Sequence, residues 1–168
     1  MTKNTALLES RNGWFEIAFT LNGTVKNFRA AEDETLLALL RREGYTGTKK
    51  GCGTGECGAC TILVDGLPKL ACLMLAAQLE GTQVETVEAL QQTDQGRALM
   101  TAFAEEGAVQ CGYCIPGMEM ASLALVRQGE LLSREQIREG LSGNLCRCTG
   151  YVKIVDAVER AVKECCNI

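Results

Sequence analysis

Cys52, Cys57, Cys60 and Cys72 read C-x4-C-x2-C followed by a distant fourth cysteine. Four thiolates at that spacing hold the two irons of a [2Fe–2S] cluster. Cys111, Cys114, Cys146 and Cys148 make a second set: C-x2-C, a long gap, then C-x-C. Two four-thiolate sites in one short chain point to a route for electrons rather than a structural clip. The sequence has no histidine. That excludes a Rieske centre, which needs two imidazoles on one iron, and every mixed Cys/His zinc site.

The first set lies in Gly51-Cys-Gly-Thr-Gly-Glu-Cys-Gly-Ala-Cys60. Glycines there permit positive φ, so backbone N–H groups can turn toward the sulfurs and help set a cluster's potential. Structural zinc usually sits between two CxxC-like knuckles, which this loop fits poorly. Gly53-x-Gly55-x-x-Gly58 also matches the dinucleotide fingerprint. Cysteines interleave it and a hairpin is expected after it, so the nucleotide reading is rejected.

In the second set, Cys111 and Cys114 are expected on one face of a first helical turn. Pro116 places them at the helix start, where the positive dipole end favours thiolates. Cys146 and Cys148 immediately precede the last expected helix. On spacing alone this set suits zinc as well as iron. Cys165 and Cys166 lie outside both sets and read as buried filler or reactive thiols, not ligands. Arg147 either steadies thiolate charge or points to solvent.

The elements that must position these residues follow from periodicity. Trp14–Leu21 alternates, with Phe15, Ile17, Phe19 and Leu21 on one face, and reads as a half-buried strand. Asn22-Gly23 suits a type I′ turn, with Thr24–Ala30 returning. Asp33-Glu34-Thr35 caps a short helix carrying Leu36, Leu39 and Leu40 and ending at Gly44. A second hairpin is expected from Thr61–Val64, an Asp65-Gly66 turn and Lys69–Cys72, which would put Cys72 on the hairpin arm. Gln83–Val87 adds a last strand.

From about residue 91 helical periods take over: Gln95–Glu106, Gly117–Arg127 behind Pro116, a helix opened by the capping box Ser133-x-x-Gln136, and one from about Tyr151. The expected division is therefore residues 13–90, a mixed α+β domain, and residues 91–168, an all-helical one.

At 168 residues the chain suits one domain or two small ones. A net charge of −4 with no dense basic stretch gives nucleic-acid or anionic-membrane binding no support. Residues 1–13 hold no apolar h-region and do not read as a secretory signal. The longest apolar run, Ala71–Ala77, is too short to span a bilayer. The expected setting is the cytoplasm, where cysteines serve as ligands more often than as disulfides.

Gly51–Cys60, Gln110-Cys-Gly-Tyr-Cys114-Ile-Pro-Gly117 and Gly143-Asn-Leu-Cys-Arg-Cys-Thr-Gly-Tyr151 together resemble the iron–sulfur subunit of molybdenum hydroxylases, the xanthine dehydrogenase/aldehyde oxidoreductase family. The resemblance covers about residues 13–164. It implies an α+β fold: an N-terminal β-grasp domain like plant-type ferredoxins, and a C-terminal four-helix-bundle domain, each with a [2Fe–2S] cluster. By motif, Cys52, Cys57, Cys60 and Cys72 would hold the first cluster, and Cys111, Cys114, Cys146 and Cys148 the second. Gln110 and Cys148 would contact the molybdopterin.

The chain has no room for molybdenum or flavin domains. The resemblance therefore implies a molybdenum-binding large subunit carrying the molybdopterin and an FAD-binding medium subunit as partners. Electrons would pass singly from the molybdopterin through both clusters to flavin, after hydroxylation of a purine, another N-heterocycle or an aldehyde on the partner. The alternative is a freestanding two-cluster ferredoxin-like carrier.

Overall fold

The computed structural model describes residues 13–166. β1 (Trp14–Leu21) and β2 (Thr24–Ala31) pair antiparallel across Asn22-Gly23, whose positive φ values of 51° and 79° suit the expected tight turn. Ile17, Phe19 and Leu21 are buried while Glu16 is exposed, as period-two alternation requires. α1 (Leu36–Arg42) starts at Thr35, whose hydroxyl accepts from the Ala38 N–H, and the chain turns off at Gly44 with φ 91°. Its four leucines close a core over Phe19 and Phe28.

β3 (Thr61–Val64) and β4 (Leu67–Leu70) form the second hairpin, and β5 (Gln83–Glu85) completes the sheet. The strand order is β2-β1-β5-β3-β4. β5 runs parallel to β1 and antiparallel to β3, which gives the β-grasp arrangement with α1 packed on one face.

Two expectations shift here. Asp65-Gly66 is a two-residue turn with φ 50° and 78°, so the return strand starts at Leu67 rather than Lys69. Cys72 consequently lies beyond β4, in a turn, and not on the hairpin arm. That turn is held by α1: the Leu36 and Leu37 N–H groups, unpaired within their own helix, donate to Met74 and Ala71 carbonyls at 2.8 and 3.0 Å.

β3 is buried at all four positions. Ile62 and Val64 join the core under α1, while Leu63 joins the helical core on the opposite face. A strand covered on both sides loses its alternation, and this one carries the helices on its outer face. Those helices are α2 (Asp94–Glu105), α3 (Ile115–Val126), α4 (Arg134–Gly140) and α5 (Val152–Cys165). α3 is central, with ten of its twelve residues buried. α5 packs Ile154, Val158, Ala161 and Val162 inward. Arg127 at the end of α3 holds Glu85 of β5 through two bonds of 2.6 and 2.8 Å, tying the helices to the sheet.

Candidate metal centres

In the first loop, positive φ at Gly53, Gly55 and Gly58 turns the backbone inward. The Thr54 and Glu56 N–H groups donate to the Cys52 sulfur at 3.4 and 3.3 Å, and the Cys52 N–H donates to Cys57 at 3.3 Å. Thr54, through its side chain and then its backbone, and next Cys57 hold the exposed Cys52 thiol down to about 5. Cys60 is buried, and burial pushes it up to about 11 against the Cys72 N–H, which lowers it. The thiols meet in two pairs, Cys52 with Cys57 and Cys60 with Cys72.

The second set is built across the helices. Cys114 is the N-cap of α3. Cys111 lies before it in a bend, so the two do not share a helical turn as the spacing suggested. The helix start does not favour thiolate at Cys114 either: burial and then the Cys146 thiol raise it to about 12. Desolvation here exceeds the dipole of a helix end.

Cys146 behaves in the opposite way. Burial pushes it up, but the Thr149 hydroxyl and N–H, with Cys148 and Cys114, outweigh that and lower it. The Thr149 hydroxyl lies 3.1 Å from the Cys146 sulfur, and the Cys146 N–H donates to the Tyr151 hydroxyl at 2.9 Å. Tyr151 is the N-cap of α5 and has a left-handed φ of 68°. Cys148 is raised, by Cys111 first and by burial second. Again there are two pairs, Cys114 with Cys146 and Cys111 with Cys148.

All four thiols line one cavity of about 190 Å³. Among the described residues, no group of three or more Cys, Asp or Glu side chains that could hold a metal ion is present. Two neighbouring pairs of thiols with N–H groups directed at sulfur would suit a two-iron cluster, each pair holding one iron.

The two sets adjoin. Cys57 of the first lines the cavity of the second. Its carbonyl accepts from the Leu145 N–H at 2.9 Å, one residue before Cys146. The buried Asn144 side chain donates to the Gly58 carbonyl at 2.9 Å and to the Thr61 hydroxyl at 3.1 Å. The Tyr113 hydroxyl donates to the Lys50 carbonyl at 2.7 Å. A Cβ on Gly58 would overlap the Gly143 carbonyl, and one on Gly117 would overlap that of Gly58. Glycine at both places lets the two cluster loops touch backbone to backbone.

Residues 19–91 match the family described as 2Fe-2S iron-sulfur cluster binding domain, and residues 86–159 the [2Fe-2S] binding domain family. The chain is 43% identical over 152 residues to the nicotinate dehydrogenase small FeS subunit of Eubacterium barkeri, covering 90% of this chain and 97% of that one. The chain belongs to the iron–sulfur subunit family of the molybdenum hydroxylases. The xanthine dehydrogenase iron-sulfur-binding subunit of Escherichia coli O157:H7 is 44% identical over 144 residues, 84% of this chain and 91% of its own. Quinoline 2-oxidoreductase from Pseudomonas putida 86 contains a chain that superposes with a TM-score of 0.87 at 43% identity, covering 93% of this chain and 98% of that one. As a molybdenum hydroxylase iron–sulfur subunit, the chain transfers electrons, binds two [2Fe–2S] clusters and is not catalytic alone.

Gln110 is exposed in the bend before Cys111, and Cys148 is exposed where it lines the second cavity. Cys165 and Cys166 are half-buried at the end of α5. Tyr113, Asn144 and Thr149 lie inside the cysteine motifs, and Tyr151 starts the last helix as its period suggests; the contacts these four make depend on tertiary packing and leave no mark in the sequence.

Proposed function

We propose that Cys52, Cys57, Cys60 and Cys72 hold one [2Fe–2S] cluster within residues 13–90, and Cys111, Cys114, Cys146 and Cys148 the other within residues 91–168. In this reading the helical end faces a molybdenum-binding large subunit, with Gln110 and Cys148 toward its molybdopterin. The sheet end faces an FAD-binding medium subunit. When bound, the clusters take up and release single electrons between those partners. The substrate class is a purine, another N-heterocycle or an aldehyde, and the setting the cytoplasm. Among the described residues no helix is long and apolar enough to cross a membrane.

The observation that carries the reading is the bond from the Leu145 N–H to the Cys57 carbonyl at 2.9 Å. It joins a proposed ligand of one cluster to the neighbour of a proposed ligand of the other, and the buried Asn144 side chain bonds across the same junction to the Gly58 carbonyl. A freestanding carrier has against it Tyr113 and Leu145, which line the second cavity together yet stay largely exposed.

Iron and sulfide analysis with EPR of the reduced chain tests the assignment. About four of each per chain and two distinct signals are expected. Serine at Cys57 should abolish one signal and serine at Cys146 the other. Stoichiometric zinc, or loss of the same signal from both variants, would overturn it.

A further inference from the structure

Three hydrogen bonds form one circuit behind Cys146. Its N–H donates to the Tyr151 hydroxyl at 2.9 Å, and the Tyr151 N–H donates to the Thr149 hydroxyl oxygen at 3.2 Å. That hydroxyl lies 3.1 Å from the Cys146 sulfur, closing the circuit. The Thr149 N–H adds a longer bond to the same sulfur at 3.5 Å. Gly150 and Tyr151, both left-handed with φ of 66° and 68°, form the bend between Thr149 and α5.

The neighbours of the Thr149 hydroxyl fix the direction of its bond to sulfur. A thiolate on iron has no proton to give, so Cys146 as a ligand can only accept. A hydroxyl has one proton and two lone pairs. The Tyr151 N–H occupies a lone pair and cannot reverse its own role, which leaves the Thr149 proton for the sulfur. Hydrogen bonds to an ionised acceptor are roughly twice as strong as neutral ones.

The threonine beside the first set is placed differently. Thr54 stands two residues after Cys52, but its hydroxyl proton also has the Glu56 carboxylate as an acceptor at 3.1 Å. The dependable donors there are the Thr54, Glu56 and Cys52 N–H groups, which a change of side chain does not remove. Around Cys146 one donor is a side-chain hydroxyl, and the residue before this cysteine, Leu145, is the one that reaches Cys57 of the first set.

We infer that Thr149 is a positioning residue for electron transfer: acting through the Cys146 sulfur, its hydroxyl holds up the potential of the second [2Fe–2S] cluster and leaves the first alone. The inference rests on the functional reading above, in which Cys146 is a ligand, and adds what regulates that site. Reduction places one electron on the cluster and neither makes nor breaks a bond. Because that electron makes the sulfurs more negative, a donor directed at one of them stabilises the reduced form more than the oxidised form, and the potential rises.

The full, cluster-loaded chain is titrated with dithionite and followed by EPR. Thr149→Val keeps the branched shape and the N–H, Thr149→Ala is a second variant without the hydroxyl, and Thr149→Ser retains it. At a fixed applied potential, Thr149→Val and Thr149→Ala should each lower the reduced-to-oxidised ratio of the second cluster about 10-fold, a fall of about 59 mV for one electron. The first cluster should not move, and Thr149→Ser should stay near the parental ratio. After exchange into D2O, pulsed EPR of the second signal should show weaker deuteron coupling in Thr149→Val than in the parent, with the coupling kept in Thr149→Ser.

An unchanged second potential in either hydroxyl-free variant would overturn the proposal, as would equal deuteron coupling in the parent and Thr149→Val. The same fall in Thr149→Ser, or a shift of both clusters together, would also overturn it by showing a general loosening rather than a lost proton donor. A parent without a second EPR signal sinks the functional reading itself. Two intact signals with a second potential that ignores the hydroxyl sink only the role of Thr149.

Discussion

Glu119 lies in the middle of α3 with 8% of its surface exposed, and burial raises its carboxyl to about 7. The folded chain therefore binds a proton that the unfolded chain has released, between the ordinary value of 4.5 and about 7. Stability from this group is complete below the lower value and lost as pH rises through the upper one. Glu119→Gln keeps the shape and removes the titration. Between pH 5 and pH 8, denaturant titrations should show the parent losing on the order of 3 kcal/mol more than the variant; parallel profiles would exclude the effect. A second residue-scale test concerns the junction. Gly58→Ala forces a side chain into a φ of 69° and into the Gly143 carbonyl, and should cost about 2 kcal/mol or more. Asn144→Ala leaves the buried Gly58 carbonyl and Thr61 hydroxyl without that partner and should cost about 1–3 kcal/mol. Because both break one contact, the double variant should be less destabilised than the sum.

At the scale of elements, α4 and α5 begin in different ways. Ser133 and Gln136 form a reciprocal capping box at α4, so Ser133→Ala should cost about 1 kcal/mol in thermal or denaturant unfolding and leave both EPR signals alone. α5 starts at Tyr151, whose hydroxyl reaches back to the Cys146 N–H. Tyr151→Phe should keep the fold but alter the second cluster's EPR signal and potential, since that N–H loses its acceptor beside a ligand; an unchanged second signal would remove the role. Local signals such as these were legible: the alternation of β1, the Asn22-Gly23 turn, the capping box and the period of α5 all depend on neighbours a few residues away. What was not legible depends on distant partners. Nothing in Thr61–Val64 says that Leu63 faces helices while Ile62 faces α1, and nothing in Gln83–Glu85 says that this strand inserts beside β1. Cys72 was misplaced because the tightness of the Asp65-Gly66 turn moves the strand start by two residues.

Across the whole molecule, spacing suggests two sets of four cysteines but not the contact between their loops, because Cys57 and Leu145 share no pattern. The exposed Gln110, which is no proposed ligand, should matter only in the assembled complex. Gln110→Ala should retain both clusters and slow their reduction by substrate, with the flavin-side step nearly unchanged; reduction at the parental rate would overturn the pterin-facing assignment. Cys165→Ser with Cys166→Ser should leave iron content and both signals intact, since that pair lies outside the two cavities. Removing iron with a chelator should lower the melting temperature, because Cys60 and Cys72 belong to the core under α1 and would lose their shared ligand.

The placement of β5 also puts an order in time on the making of this protein. Every residue of the sheet and every thiol of the first set has left the ribosome once Glu85 has, whereas the second set waits for Cys148. At synthesis rates of about 5–20 residues per second that interval is roughly 3 to 13 s. During it the sheet can close and the first loop can take its iron while the Gly58 carbonyl still faces water. The finished sheet half then presents Cys57 as a preformed wall, against which the later helices complete the second cavity.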